Sequence, residues 1–264
     1  MLMAVKNQIN VSLLSIKYAL MREMLNKTTF ISNIVFMILN NACFIVQWVV
    51  LFSIKDNIAG ATLKEVLLLW ALASSTFGVS RFFFKNAFEL PEIITSGKLD
   101  VFLVQPKNVL LSAITTDVQT SAIGDMLYGI ILLFVYGFTF ERLLLFILFS
   151  ICGGLIITSI SIIFSSLSFW FPNSSMLADT IVSITTTVAT YPGEIFKGFT
   201  KILLYTLIPV GLSNYIPHHL LINFDLLMFV ELMIFTILIV IFAFQTFNRG
   251  LKRYSSTNLM NVRI

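Results

Sequence analysis

Residues 143–178 read LLLFILFSICGGLIITSISIIFSSLSFWFPNSSMLA and carry no charged side chain over 36 positions. A helix of about 20 apolar residues is long enough to cross the hydrocarbon core of a bilayer. A soluble helix of this length would need a polar face toward water, and this stretch has none. Residues 28–54 form a second charge-free run, of 27 residues. Together the two runs indicate an integral membrane protein.

The composition of the whole chain supports the same class. Of its 264 residues, 58% are hydrophobic and 11% are charged, against about 45–50% and about 25% in soluble domains. Disorder is excluded by this apolar content. A disulfide scaffold is excluded because Cys43 and Cys152, the two cysteines, both lie in apolar runs. Continuous apolar runs also replace the alternation typical of a membrane β-barrel. A net charge of +4 does not suggest nucleic-acid binding.

The hydrophobic pattern predicts an all-α integral membrane protein. Its six predicted spans lie at about 30–54, 65–84, 110–138, 143–171, 177–192 and 221–246. We expect three regions: a cytoplasmic N-terminal region (1–29), one membrane domain (30–248) and a cytoplasmic tail (249–264). No short apolar segment with a small-residue cleavage site precedes the first span, so a cleavable signal is not expected.

The basic residues predict the orientation of these spans. With the N-terminus inside, twelve of the 17 lysines and arginines fall in cytoplasmic segments. The opposite orientation would invert this bias, and cytoplasmic loops normally carry the excess of positive charge. Both termini are therefore expected in the cytoplasm.

The stretch 10–27 precedes the first predicted span. At 100° per residue, six of its leucines and methionines fall on one side of a helix and most of its charged residues on the other. This pattern is typical of a helix that lies on the inner leaflet. A cytoplasmic extension of the first span is the alternative.

The cytoplasmic loop 86–107 mixes charged and apolar residues and is punctuated by Pro91, Gly97 and Pro106. One or two helical turns fit between the first proline and the glycine. The loop is either a contact for another protein or a plain solvated connector.

The segment 192–220 is strongly apolar, but it is broken by three prolines and three glycines. Its apolar pieces are too short to span a bilayer. Irregular backbone at membrane depth must be covered by protein or line a cavity. We therefore expect one or two short re-entrant helices that dip in from the outer face, with two full spans as the alternative.

The chain shows no motif of covalent or nucleotide chemistry. It lacks G-x-x-x-x-G-K-[ST], G-x-S-x-G and H-E-x-x-H. Its two histidines, His218 and His219, are adjacent and therefore point in different directions, which makes them poor joint metal ligands. We expect no catalytic, cofactor-binding or metal-binding residues in this chain.

Two acidic residues lie deep in predicted spans: Asp125 in the third and Glu231 in the sixth. An ionisable group in hydrocarbon is costly unless it is paired, protonated or in contact with water. Each residue therefore either lines a polar pathway or makes an interhelical or subunit contact.

Two motifs carry a resemblance to a known family. Residues 93–106 read I-I-x-x-G-K-L-D-x-F-L-x-x-P, and residues 191–217 contain Y-P-x-x-I-F, L-L-Y-x-x-I-P-V and N-Y-x-P. Combined with six spans, they resemble the ABC-2-type permeases of ABC transporters. The likeness covers essentially the whole chain and points to the uncharacterised branch in which two permeases are often encoded beside one ATPase.

The resemblance implies a partner and a coupling segment. A cytoplasmic coupling helix in loop 86–107 would dock into a groove of a separate ATPase. The coupling residues would be Glu89, Pro91, Glu92, Gly97, Lys98 and Asp100. Pro209 and Tyr215, in the second motif, are further candidates for pathway or interface residues. ATP and Mg²⁺ would be bound by the ATPase, which explains the missing P-loop.

The implied assembly contains two copies of the ATPase, a second permease that is homologous or identical, and membrane lipids. It would lie in a bacterial cytoplasmic membrane and act as an ATP-driven exporter. Two alternatives remain: a non-transporting ABC-like partner in sensing or envelope stress, and a membrane-embedded lipid-modifying enzyme. The scattered ionisable groups argue against the enzyme, because such chemistry needs clustered polar side chains.

Overall fold

A computed structural model of the chain describes residues 2–58, 60–171, 174–206, 208 and 210–255. These residues are helical apart from loops and one isolated bridge between Ile58 and Ala61. The α-helices are α1 (Leu2–Glu23), α2 (Lys27–Ile54), α3 (Leu63–Phe88), α4 (Leu90–Thr95), α5 (Asp100–Leu103), α6 (Val109–Ile114), α7 (Ser121–Gly137), α8 (Phe140–Ser165), α9 (Ser175–Ala189), α10 (Phe199–Thr206), α11 (Ile216–Ile222) and α12 (Leu226–Leu251). Short 3₁₀ turns follow α8 and α9, and a π-helical turn, Gly211–Tyr215, precedes α11.

Four helical segments are long and apolar enough to cross a membrane. They are α2, α3 together with α4, α8 together with its 3₁₀ turn, and α12. The helices α7 and α9 are also apolar but have 17 and 15 residues. At 1.5 Å per residue these correspond to about 25 Å and about 22 Å, slightly less than a hydrocarbon core of about 30 Å.

The long helices begin at side chains that cap them. Thr62 and Glu65 form a reciprocal capping box at the start of α3. Asp225 accepts a hydrogen bond from the Met228 amide at the start of α12. Each cap satisfies backbone N–H groups that a helix leaves without partners at its N-terminus. Because charged and hydroxyl side chains at these points also interrupt the apolar runs, the helix starts follow from the sequence.

The helix α3 is the centre of the bundle. It packs against α7 and α8, α2 packs against α7 and also contacts α3, and α12 packs on α8. Most of α3 is buried, whereas α2 and α12 expose rows of large apolar side chains. Gly124 permits the close approach of α7 to α2, since a Cβ there would lie 2.5 Å from the Ile34 carbonyl oxygen.

Residues 110–138, which the sequence suggested as one span, are divided into α6 and α7. The intervening residues 115–120 are not helical. Asn86 donates hydrogen bonds to the carbonyl of Ala113 and the hydroxyl of Thr116, closing the end of α6. Threonine and aspartate side chains compete with helical hydrogen bonds, and this interruption contains three threonines and Asp117.

The segment between α9 and α12 folds back into the bundle. A Cβ on Gly153 would lie 2.6 Å from the carbonyl oxygen of Ser213 and 2.9 Å from the hydroxyl of Thr76. Gly153 and Thr76 lie near the middle of the 26-residue helices α8 and α3. The π-helical turn is therefore halfway along the bundle. The two ends of the segment, Pro192 and Asn223, line one cavity near the start of α3, so the segment enters and leaves on the same side.

Candidate functional site

A buried polar pair connects α2 and α7. The amide nitrogen of Asn41 donates a 2.6 Å hydrogen bond to the Asp125 carboxylate, and the two residues are 8% and 7% exposed. Asn33 makes a second bond between these regions, to the Thr120 hydroxyl at 3.1 Å. A buried carboxylate is tolerated when it is hydrogen-bonded, so Asp125 helps to hold α2 in register.

Asp125 also lines a cavity between α2, α3, α7 and α9, which we name the lateral cavity. Its volume is about 390 Å³, within the range of small-molecule sites. Its aromatic lining residues are Phe44, Trp48, Trp70, Phe77 and Tyr191. Its polar lining residues are Asn40, Asn41, Gln47, Ser74, Arg81, Gln119, Asp125, Thr186, Thr187 and Thr190. The lateral cavity is therefore lined by both aromatic and polar side chains, and we name the aromatic set its aromatic wall.

A second cavity, the inner cavity, adjoins the first toward the end of α3. Its volume is about 460 Å³, and it shares Arg81, Thr186 and Thr187 with the lateral cavity. Lys85 of α3 and Glu89, which directly follows α3, also line it. The two cavities therefore adjoin along one side of α3, and we name them together the polar path.

The helix α9 supplies the polar side of this path. Its lining residues recur at intervals of about one turn: Asp179, Ser183, Thr186, Thr187 and Thr190. Asp179, Ser183 and Thr187 are exposed in the isolated chain. A row of polar side chains on a helix of a membrane bundle must face water or protein.

Arg81 is the one cationic side chain that lines both cavities. Its guanidinium donates a long hydrogen bond of 3.4 Å to Gln119 and stacks over Phe88, 4.7 Å from the ring centroid. The carboxylates of Asp125, Glu89 and Asp179 attract it. Among the described residues, none of them approaches within salt-bridge distance of it.

The proposed coupling residues lie in one compact turn region. Pro91 is buried in the first turn of α4, and Gly97 follows its end with a φ of 77°, a conformation that favours glycine. Glu89 lies 3.8 Å from Lys85 of α3. The apolar side of α4 packs on α6, α8 and the end of α12, which fixes the segment to the bundle.

The outward side of this segment is charged and apolar. Glu92 and Lys98 form an exposed ion pair at 2.7 Å. Val101, Leu103 and Val104 lie just beyond it and are exposed. The segment thus has a surface available for contact.

Asp100 points instead toward the chain's C-terminal region. Its carboxylate accepts a 2.9 Å hydrogen bond from the Tyr254 hydroxyl. Burial and the neighbouring carboxylate raise the pKa of the Tyr254 phenol, so the phenol stays protonated and donates. Because Tyr254 also packs edge-on against Phe169, the coupling segment is connected to the end of α8 and to α12.

Asp117, in the break between α6 and α7, joins three parts of the chain. Its two carboxylate oxygens pair with Arg22 of α1 at 2.6 Å and with Lys85 of α3 at 2.7 Å. Gln8 of α1 accepts a further bond from the Asn108 amide at 2.9 Å. These contacts fix α1 against the same end of the bundle as the coupling segment.

The remaining candidates lie elsewhere. Tyr215 is buried, donates a 2.9 Å hydrogen bond to the Val188 carbonyl, and lines an outer cavity of about 240 Å³ together with His218. Glu231 is exposed on α12, away from these cavities. Pro209 lies outside the described residues. Among those residues, no group of three or more histidines, cysteines or acids is placed to hold a metal ion.

The structure brings Asp125 together with residues that the sequence did not single out. Asn41 and Arg81 belong to the site because of their contacts with other parts of the chain. Asn41 is 84 residues from its partner Asp125. In the sequence, Asn41 stands out only as an asparagine within a charge-free run, and Arg81 only as an arginine one turn before Lys85. Neither pattern indicates which residue the side chain contacts.

Comparison with known proteins agrees with this arrangement. The family model described as ABC-2 family transporter protein matches residues 38–258. No curated protein and no solved structure matches the chain. The matched region contains nearly all the residues that line the cavities, the loop 86–107 and the segment that folds back into the bundle. The chain is a membrane protein that belongs to the ABC-2 transporter family.

Proposed function

We propose that this chain is the permease subunit of an ATP-driven exporter and forms half of its substrate pathway. The observation that carries the proposal is the polar path made by the lateral and inner cavities. It runs beside the buried helix α3 and is bounded by α9 on one side. Polar side chains at this depth serve a pathway better than a lipid contact, since lipid cannot satisfy them.

A second permease, homologous or identical, would complete the pathway. The α9 residues that line the cavities are partly exposed in the single chain, and α2 beside them exposes large apolar side chains. A partner subunit would cover the apolar side chains of α2 and enclose the polar residues of α9. The pathway would then lie between the two subunits.

Energy would come from a separate ATPase, present in two copies, which binds ATP and Mg²⁺. The region 86–107 would dock on it through the Glu92–Lys98 pair and the exposed residues Val101, Leu103 and Val104. ATP binding would move the coupling segment as a rigid body, and α3 and α12 would follow because they pack with it. The permease itself would perform no covalent chemistry.

The proposed topology has six spans: α2, α3, α7, α8, α9 and α12. Both termini would be cytoplasmic, in a bacterial cytoplasmic membrane, as the distribution of lysine and arginine suggests. The helix α1 exposes Leu14, Tyr18 and Met21 along one side. That side would lie on the lipids of the inner leaflet.

The first test is a pull-down of the full chain from detergent-solubilised native membranes, with mass spectrometry of the proteins that co-purify. We expect a P-loop ATPase and a permease of the same family. If the chain is recovered alone, under conditions that keep a known ABC transporter complex intact, the subunit assignment is wrong.

A further inference from the structure

We infer that the lateral cavity binds an anionic amphiphile, with its phosphate or carboxylate at Arg81 and its apolar body against the aromatic wall. This inference rests on the proposed function, because it names the class of compound that enters the pathway. It depends on three features of the cavity: the unused donors of Arg81, the engaged state of Asp125, and the position of the aromatic rings.

The Arg81 guanidinium has donor capacity to spare. A guanidinium carries five N–H groups in a planar fork that matches carboxylate and phosphate oxygens. Among the described residues, its one hydrogen bond is the 3.4 Å contact with Gln119. The Phe88 ring lies over one side of the guanidinium. The N–H groups lie at the edge of the fork, and a contact at this edge favours a bidentate anion.

Asp125 is a weaker candidate for the ligand's partner. One of its oxygens accepts the 2.6 Å bond from Asn41, and the side chain is 7% exposed. Arg81 is less buried than Asp125 and reaches both cavities. Within the lateral cavity, Arg81 is therefore more accessible to a ligand than Asp125.

The aromatic wall suits an apolar body better than a cation. Phe44 stacks on Trp70 with centroids 5.7 Å apart, and Trp48 meets Tyr191 edge-on at 5.7 Å. Because each ring faces another ring, these pairs do not form an open cage around a charged group. They present an apolar surface next to a single accessible cation. A ligand with an apolar alkyl chain or ring system and an anionic end fits this arrangement of aromatic rings beside Arg81.

The test uses the fluorescence of the two cavity tryptophans. The chain has three tryptophans, and Trp170 lies near Arg253, outside the lateral cavity. A Trp170→Phe variant of the full chain, in phosphatidylcholine nanodiscs, therefore reports from Trp48 and Trp70. The probes are an alkyl phosphate and an alkyl trimethylammonium of equal chain length, each brominated at the chain end, where bromine quenches indole on contact.

We expect saturable quenching by the phosphate probe. Arg81→Gln should weaken its binding by about ten- to one-hundred-fold, the range for losing hydrogen bonds to a charged group. Arg81→Lys, which keeps the charge but loses the fork, should fall in between. Arg249→Gln, the same substitution at an exposed arginine near the end of α12, is the matched control and should leave binding unchanged. Equal or tighter binding of the trimethylammonium probe, or no effect of Arg81→Gln, would overturn the inference.

Two unlabelled competitors distinguish the sources of the anion. Displacement of the phosphate probe by phosphatidic acid would identify a bilayer lipid as an occupant, and displacement by the single-chain phosphate alone would favour a guest compound. Either result supports the anionic amphiphile. Displacement by inorganic phosphate at the same concentration would show a bare anion site and contradict it. A preference for the cationic probe would refute only the proposed class of ligand. The proposed function is refuted separately, if the pull-down recovers the chain alone.

Discussion

The side-chain amide of Asn41 donates to the Asp125 carboxylate over 2.6 Å, and this bond fixes α2 to α7 at the wall of the lateral cavity. Asn41→Ala would leave a buried carboxylate without its donor. We expect a loss of about 1–3 kcal/mol of stability, the penalty for an unsatisfied buried polar group. Thermal unfolding of the purified protein in detergent measures it.

The neighbouring Asn40 provides the matched control. It lines the same cavity but is exposed, so Asn40→Ala should leave the unfolding temperature nearly unchanged. Equal effects of the two substitutions would show that the Asn41–Asp125 bond contributes nothing specific.

Gly153 is the point where α8 contacts the re-entrant segment. In Gly153→Ala the new Cβ would lie 2.6 Å from the Ser213 carbonyl oxygen, and backbone cannot easily move aside. We expect a cost of about 1–3 kcal/mol, as for overpacking elsewhere. Faster hydrogen–deuterium exchange in residues 211–222 is the direct sign of displacement.

Gly154→Ala is the comparison for this experiment. The three atoms nearest to its Cβ would belong to Val79 and Thr76 of α3, with the Val79 side chain at 2.8 Å. Exchange in 211–222 should therefore stay as in the parent protein. If both variants loosen the segment equally, the contact with Ser213 is not what holds it.

The Tyr254–Asp100 hydrogen bond predicts a pH dependence. Burial raises the pKa of the Tyr254 phenol above that of the unfolded chain, which is about 10. The bond's contribution is therefore complete below about pH 10 and is lost as pH rises through the folded-state pKa. Tyr254→Phe keeps the ring against Phe169 but removes the bond. We expect it to lower stability by about 1 kcal/mol at pH 7–9.

The comparison of the parent protein with Tyr254→Phe at higher pH also shows what would contradict this prediction. Above about pH 10 the difference between parent and Tyr254→Phe should shrink, because only the parent loses a proton on unfolding. A difference that stays constant from pH 7 to pH 11, in thermal unfolding curves, would show that the phenol hydroxyl does not stabilise this end of the fold.

Reversal of the Glu92–Lys98 pair tests the coupling surface. The two side chains are 69% and 60% exposed and lie 2.7 Å apart. The double variant Glu92→Lys with Lys98→Glu keeps the local ion pair but inverts the charges that a partner meets. We expect normal folding and at least a several-fold loss of co-purifying ATPase, since opposed charges disfavour docking.

The control for this variant is the exposed residue Lys64, outside the coupling segment. Lys64→Glu should leave ATPase recovery unchanged. Full recovery with the double reversal would remove the Glu92–Lys98 pair from the docking surface.

The sequence was informative wherever the physics is local. Long charge-free runs predicted the helical membrane protein, and prolines and glycines predicted that residues 192–220 would not be a simple span. Pro91 and Gly97 bracket α4 because each has a fixed role at a helix end. The break at 115–120 has a local signal in its threonines and Asp117, but the contacts with Asn86, Arg22 and Lys85 that fix these side chains come from earlier segments.

The site itself depends on which helix faces meet, and that is not local. The helix α12 is apolar all round, so its sequence could not tell that Glu231 lies on the exposed side. For the same reason Asn41 gave no sign that it faces Asp125. An ionisable residue in a span indicates a free-energy cost of burial that some contact must offset. Only the packing shows which contact offsets it.

The attachment of α1 has a consequence for how the protein folds while it is being synthesised. Its contacts from Arg22 and Gln8 are with residues 95 and 100 positions later in the chain. At a translation rate of about 5–20 residues per second, those partners leave the ribosome about 5–20 s after α1 does. During that interval α1 lacks these polar contacts, and its exposed apolar side has the membrane surface as its available neighbour. The helix α1 is thus synthesised before the residues to which it is attached.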